Sequence, residues 1–158
     1  MILILGGSQG SATINNFIFE NLPELLKISQ ILHQVGQTNF RNAEIMVNNI
    51  FKNHPELKEC YKFIGNLDSS GLKYGLIASN LVVSRAGSGA IFEIAAFSKP
   101  AILIPLPSAA NNHQVLKNYN GWYAFGLLLK HDVCCVGFIH SFDIDIILKN
   151  SKYIRAYN

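Results

Sequence analysis

SRAGSGAIFEIAAF, residues 84 to 97, is the stretch on which the fold turns. It starts at the end of an apolar β-type run, LVVS (81–84), turns through Gly87, Ser88 and Gly89, and continues as an apolar segment of helix length. A second β-type run, AILIPL (101–106), follows it. Strand, glycine turn, helix and strand form the unit that builds parallel sheets, since parallel neighbours need a crossover of about a dozen residues or more. Inside the unit stands Glu93, the one acidic residue between Asp68 and Asp132. A lone carboxylate on a helix that otherwise reads as core needs a reason.

Reading outward, the same alternation covers the chain before this unit. ILIL (2–5) is a buried-strand run that ends in GGSQG (6–10). A helix is expected from Ala12 to Lys27, with Ile14, Phe17, Ile18, Leu22 and Leu25 near helical spacing and a break near Asn21 because of Pro23. ILHQV (31–35) and YKFIG (61–65) read as strands, and 41–52 and 67–78 as helices, the latter weakened by glycine. The expected fold is α/β: a Rossmann-like parallel sheet with helices on both faces. Met1 opens directly on the first strand, which suits either a complete protein or the second half of a longer one.

Composition agrees with one well-buried domain. At 158 residues it should bury roughly 70% of its unfolded surface. Charged residues make up 15% of the chain, against about 25% in an average soluble domain. The net charge of +3 is small and the lysines are scattered, so nucleic acid is not an expected partner. Cys60, Cys134 and Cys135 make neither a disulfide framework nor a CxxC pattern, and a reducing cytoplasm fits them. No apolar run reaches the ~18 residues of a membrane span. No histidine spacing matches a metal motif, so neither metal nor cofactor is expected.

GGSQG follows strand one and RAGSGA (85–90) follows strand four. In the doubly wound order 3-2-1-4-5 those strands are neighbours, and ligands bind in the crevice beyond their carboxyl ends. Glycine permits positive φ and close backbone approach, and the following helix offers free N–H groups and a positive dipole end. Each turn alone could be a packing device; the pair at one crevice points to a nucleotide with a pyrophosphate. The P-loop pattern is absent, since no lysine follows Gly10. GGSQG is not GxGxxG, and HQVGQ after strand two lacks the acid that holds an NAD ribose. Glu93 then has two readings. One is a charge–dipole contact at the helix start worth ~0.3–1 kcal/mol. The other is a carboxylate accepting hydrogen bonds from a ribose diol, one turn beyond the phosphate-binding amides.

GGSQG, HQVG, FIG, SRAGSGAIFEIAAFSKPAILIPLP and NNHQ occur in that order. Together they resemble the C-terminal, donor-binding domain of the MurG family. These are bacterial GT-B glycosyltransferases that move GlcNAc from UDP-GlcNAc to undecaprenyl-pyrophosphoryl-muramoyl-pentapeptide in peptidoglycan synthesis. The resemblance covers residues 1–118, taken as the UDP-GlcNAc-binding unit, and fades over 119–158, a divergent continuation similar only in outline, helix then strand. It implies that Ser8, Gln9 and Gly10 lie near the pyrophosphate and the acceptor crevice. It implies that Phe63 and Ile64 flank the uracil, one by its ring and one by main-chain hydrogen bonds; core packing is the alternative for Phe63. Ser88, Gly89 and Ala90 match the turn whose amides hold the α-phosphate, and Glu93 matches the acid that takes the ribose hydroxyls. His113 and Gln114 match the polar pair on the N-acetylglucosamine, with plain loop polars as the alternative.

The resemblance also implies an acceptor-binding N-terminal domain, absent from this sequence, that supplies the catalytic base and meets the lipid-linked acceptor. UDP-GlcNAc would be the donor substrate, with no further cofactor. The place of work would be the cytoplasm, peripherally at the inner face of the cell membrane. Alone, the chain should bind without turnover. The rivals are a soluble subunit of a split lipid-linked GlcNAc transferase, a non-catalytic nucleotide-binding remnant, and a GT-B enzyme using another UDP-sugar.

Overall fold

A computed structural model describes residues 1–7 and 9–104, together with the backbone of residues 122–124, 127–129, 132–134 and 136–139. Strand β1 (Ile2–Leu5) leads into helix α1 (Ala12–Glu20), which breaks at Asn21 and resumes as α2 (Leu22–Leu26) with Pro23 in its first turn. Proline is tolerated there because the first-turn N–H groups have no helical acceptor. Then come β2 (Ile31–Gln34), a 3-10 turn at Gln37–Asn39, α3 (Phe40–Asn53), a second 3-10 segment at Pro55–Cys60, and β3 (Tyr61–Ile64). Helix α4 (Ser69–Ala78) starts at Asp68, whose Oδ1 accepts from Gly71 N–H at 2.7 Å. Strand β4 (Leu81–Arg85), α5 (Ser88–Ala96) and β5 (Ala101–Ile104) complete the unit from which the reading began.

The five strands pair in parallel in the order β3-β2-β1-β4-β5, the doubly wound order expected. Beyond β5 the backbone adds β6 (Trp122–Ala124), β7 (Leu127–Leu129), β8 (Asp132–Cys134) and β9 (Val136–Ile139). β9 joins β5 in parallel and β6 closes on β9 antiparallel, while β7 and β8 form a separate pair. A helix was expected before the strand here. Gly121, Gly126 and Gly137 punctuate short Trp-, Tyr-, Val- and Phe-containing runs, and each glycine costs a helix about 1 kcal/mol relative to alanine. The helix expected over FDIDIILKNSKYI lies outside the described residues, as do the last two positions of AILIPL.

Strand alternation splits the core in two. Ile2, Ile4, Ile31, Leu81, Val83 and Ile102 pack on one face against Ile14 and Ile18 of α1, Leu22 and Leu25 of α2, and Val47 of α3. Leu3, Leu5, Val82, Ala101 and Leu103 pack on the other against Leu76 of α4 and Ile94 of α5. Both faces of β1 are thus covered, which is why its four residues are all apolar. The sheet's carboxyl edge, where the glycine turns leave β1 and β4, stays open.

Polar groups are also buried. His33, fully buried on β2, lies between Tyr61 and Asn15. Asn15 Nδ2 donates to Val35 O at 2.9 Å, so its Oδ1 is the acceptor and His33 Nε2 carries the proton that reaches it at 3.1 Å. His33 Nδ1 then accepts from Tyr61 Oη–H at 2.9 Å. Burial holds the imidazole pKa down at about 3 and pushes the phenol upward. The chain of bonds ties α1 to the end of β2, just below the first glycine turn.

Candidate functional site

A cavity of about 440 Å³ lies beyond the carboxyl ends of β1 and β4, within the usual range for small-molecule sites. Gly7 and Gln9 line it from the first turn, Gly87 and Ala90 from the second, and Glu93 from α5. The two glycine turns therefore share one crevice.

Their glycines serve different purposes. Gly10 has φ +78°, and a Cβ there would stand 2.2 Å from Val35 O and 3.0 Å from Gly36 Cα. Gly36 has φ +87° and would meet Gly10 N at 2.4 Å. The first turn thus needs glycine for its own packing against the end of β2. Its helix is also capped from within: the Ser11 side chain accepts from Ile14 N–H at 3.4 Å. Thr38 Oγ1 and Asn39 Nδ2 donate to Gln9 O at 3.0 and 3.2 Å, pinning the turn to the 3-10 segment after β2.

The second turn is the reverse. Neither Gly87 nor Gly89 has positive φ, and a Cβ on either would meet nothing within 4 Å. The chain's own packing does not require glycine here, and open space lies above the backbone. Gly87 is the N-cap of α5 and has no side chain to cap with, so the amides of Ser88, Gly89 and Ala90 lack a capping acceptor. Of the two helix starts, α1 has one amide capped by its own Ser11 side chain, and α5 has no side-chain cap.

The cap also relocates Glu93. With Gly87 at the N-cap, Glu93 is the sixth helical residue, and no acid stands in the first turn of α5. A charge–dipole role fades at that distance. The side chain is exposed and lines the cavity one turn beyond the open amides. Among the described residues it makes no ion pair.

Of the other expected site residues, Ser88 and Gly89 are exposed at the helix start. Phe63 does not line the cavity. Its ring packs 5.2 Å from Phe40 and 6.0 Å from Tyr61, centroid to centroid, against the α1–α3 core. Ile64 ends β3, and its carbonyl accepts from Val35 N–H at 3.0 Å, so that oxygen points into the sheet. Ser8, His113 and Gln114 lie outside the described residues.

Four polar side chains complete the wall without having been proposed as site residues from the sequence: Ser84 and Arg85 at the end of β4, Gln34 at the end of β2 and Asn66 after β3. Arg85 puts a cation beside the open start of α5. The signal was positional, since each stands at or just past the carboxyl end of a strand, where doubly wound folds place ligand contacts. Among the described residues no cluster of three or more His, Cys, Asp or Glu is placed to hold a metal, and no helix is long and apolar enough to cross a membrane.

Fold and site together define a doubly wound α/β domain with a cavity at the carboxyl ends of its strands, into which the second glycine turn opens an uncapped helix start. The chain belongs to the family described as the glycosyltransferase family 28 C-terminal domain, whose model matches residues 1–118. Among its relatives is the UDP-N-acetylglucosamine--N-acetylmuramyl-(pentapeptide) pyrophosphoryl-undecaprenol N-acetylglucosamine transferase of Treponema denticola, 31% identical over 84% of this chain and 34% of that protein. The enzyme of the same name from Carboxydothermus hydrogenoformans is 39% identical over 72% of this chain and 29% of its own length. The crystal structure of Acinetobacter baumannii MurG matches with a TM-score of 0.51 and 27% identity, over 72% of this chain and 30% of that one. This chain spans about a third of the length of the relatives it matches.

Proposed function

We propose that this domain binds UDP-GlcNAc and forms the donor half of a transferase that passes GlcNAc to undecaprenyl-pyrophosphoryl-MurNAc-pentapeptide. The observation that carries the reading is the meeting, in one cavity, of the uncapped start of α5, the Arg85 guanidinium and the Glu93 carboxylate. The amides of Ser88, Gly89 and Ala90 take the phosphate nearest the ribose, and Glu93 accepts the ribose hydroxyls. Gln9 faces the pyrophosphate from the opposite turn, with Ser8 and Gly10 beside it. His113 and Gln114 complete the sugar end.

The reaction is an inverting displacement. The acceptor C4 hydroxyl attacks the anomeric carbon, its proton passes to a base on the acceptor-binding unit, and the bond from the anomeric carbon to the UDP oxygen breaks. Negative charge grows on the departing pyrophosphate, where helix amides and Arg85 stabilise it as it forms. Holding donor and acceptor in line requires both units, so this domain by itself binds without turnover. The lipid-linked acceptor places the work in the cytoplasm, peripherally at the inner face of the cell membrane.

Calorimetric titration of the chain with UDP-GlcNAc, UDP-GalNAc and NAD tests the reading. UDP-GlcNAc should bind best. A folded chain that binds no UDP-sugar would be a remnant of the family without its ligand.

A further inference from the structure

Gln34 is the last residue of β2, 7% exposed, and it lines the cavity. Its Nε2 donates to Asn66 Oδ1 at 2.8 Å and to Gly7 O at 3.4 Å. Asn66 belongs to the loop between β3 and α4, and Gly7 to the turn between β1 and α1. One amide thus ties together two cavity walls that stand 59 residues apart in the chain, at positions 7 and 66. Both amide hydrogens are engaged, so Oε1 is left without a partner among the described residues. Arg85 and the open α5 amides lie on the β4 side of the same cavity.

We propose that Gln34 is a positioning residue for the donor nucleotide. It fixes the spacing between the first glycine turn and the β3–α4 loop, and it presents a neutral acceptor to the cavity. The chemistry sets a direction. A carbonyl oxygen accepts an N–H or O–H and disfavours a phosphate, so the ligand group that meets Gln34 is a hydroxyl or N–H of the donor and not a phosphate oxygen. The inference rests on the donor-binding reading above and adds to it the residue that orients the ligand.

The test uses the whole chain, with UDP as the probe. Gln34→Leu, Asn66→Ala and the double variant are titrated with UDP, and amide hydrogen exchange is followed without ligand. Gln34→Leu should weaken UDP roughly three- to tenfold, and the double variant should bind no worse than Gln34→Leu alone, since both act through one bridge. In the free Gln34→Leu chain, exchange should quicken at Gly7, Gln9 and residues 65–67 while β4 and α5 keep their protection. Three results overturn the proposal: unchanged UDP affinity in Gln34→Leu, additive effects in the double variant, or a loss of protection spread over the whole sheet. If the folded wild-type chain fails to bind UDP, the donor-binding reading falls and takes this inference with it; wild-type binding with an indifferent Gln34→Leu removes the inference alone.

Discussion

His33 Nε2 donates to Asn15 Oδ1 across 3.1 Å in the interior of the sheet, joining β2 to α1. The bond that His33 Nδ1 accepts from Tyr61 at 2.9 Å needs a neutral imidazole, and burial keeps it neutral, with the pKa held down at about 3. In the unfolded chain the same group titrates near 6.5. Between those values the unfolded state binds a proton that the folded state refuses, so stability is full above about pH 6.5 and falls as the pH drops towards 3. Going from pH 8 to pH 5 should remove about 2 kcal/mol through this residue. Urea unfolding of the wild type and of His33→Phe at both pH values checks it: the variant is less stable at neutral pH, with a flatter pH dependence. If the variant does not fold, NMR titration of the wild type still decides, because His33 should show no protonation down to pH 4.

Glu93 is exposed and makes no ion pair among the described residues, so its removal leaves the fold alone. Glu93→Ala should melt within a degree or two of the wild type while its affinity for UDP-GlcNAc drops at least about tenfold, or about 1.4 kcal/mol. Calorimetry and thermal melting on one preparation separate the two. An equal loss of affinity for inorganic pyrophosphate would speak against a ribose contact.

The two glycine turns should respond in opposite ways. Gly10→Ala forces a side chain into positive φ and onto Val35 O, and should cost about 2 kcal/mol or more of stability. Gly89→Ala puts a methyl into open space within a helix and should stabilise the free domain by roughly 0.5–1 kcal/mol. It should nevertheless weaken nucleotide binding, because on the proposed function that space is where the ligand meets the backbone. Chemical denaturation and UDP titration of both variants read the contrast.

Phe63 packs among Phe40 and Tyr61, so Phe63→Ala should act first on stability, by about 3 kcal/mol. Phe63→Leu keeps the volume better and should hold most of the UDP affinity. A folded Phe63→Leu that loses affinity tenfold would restore the ring to the base-binding role.

Much of the architecture was legible locally. ILIL, LVVS and AILI are apolar runs of strand length, Pro23 marks the helix break at Asn21, and the glycine turns mark where strands give way to helices. These features depend on neighbours a few residues away, and a sequence displays such neighbours directly. The expected strand order is the common doubly wound one for a chain of alternating strands and helices, and the sheet has that order. Glu93 itself was conspicuous because no other acid stands near it in the chain.

What the tertiary structure decided depends on residues distant in sequence. Sequence alone could not choose between the two helix starts as the anion site. That choice came from Ser11 capping one and Gly87 leaving the other open, with Gly10 seated against Val35 and Gly36. Phe63 read equally well as a base contact or as core, and only the fold shows that Phe40 stands 5.2 Å from it. Gln34 looked like an ordinary strand-end polar until Asn66 and Gly7 were brought to its amide. Hydrophobic periodicity and turn chemistry act within a few residues and so are written in order along the chain. Cavity walls and buried hydrogen bonds form only when β1, β2, β3 and β4 lie side by side, and that adjacency exists in the folded sheet alone.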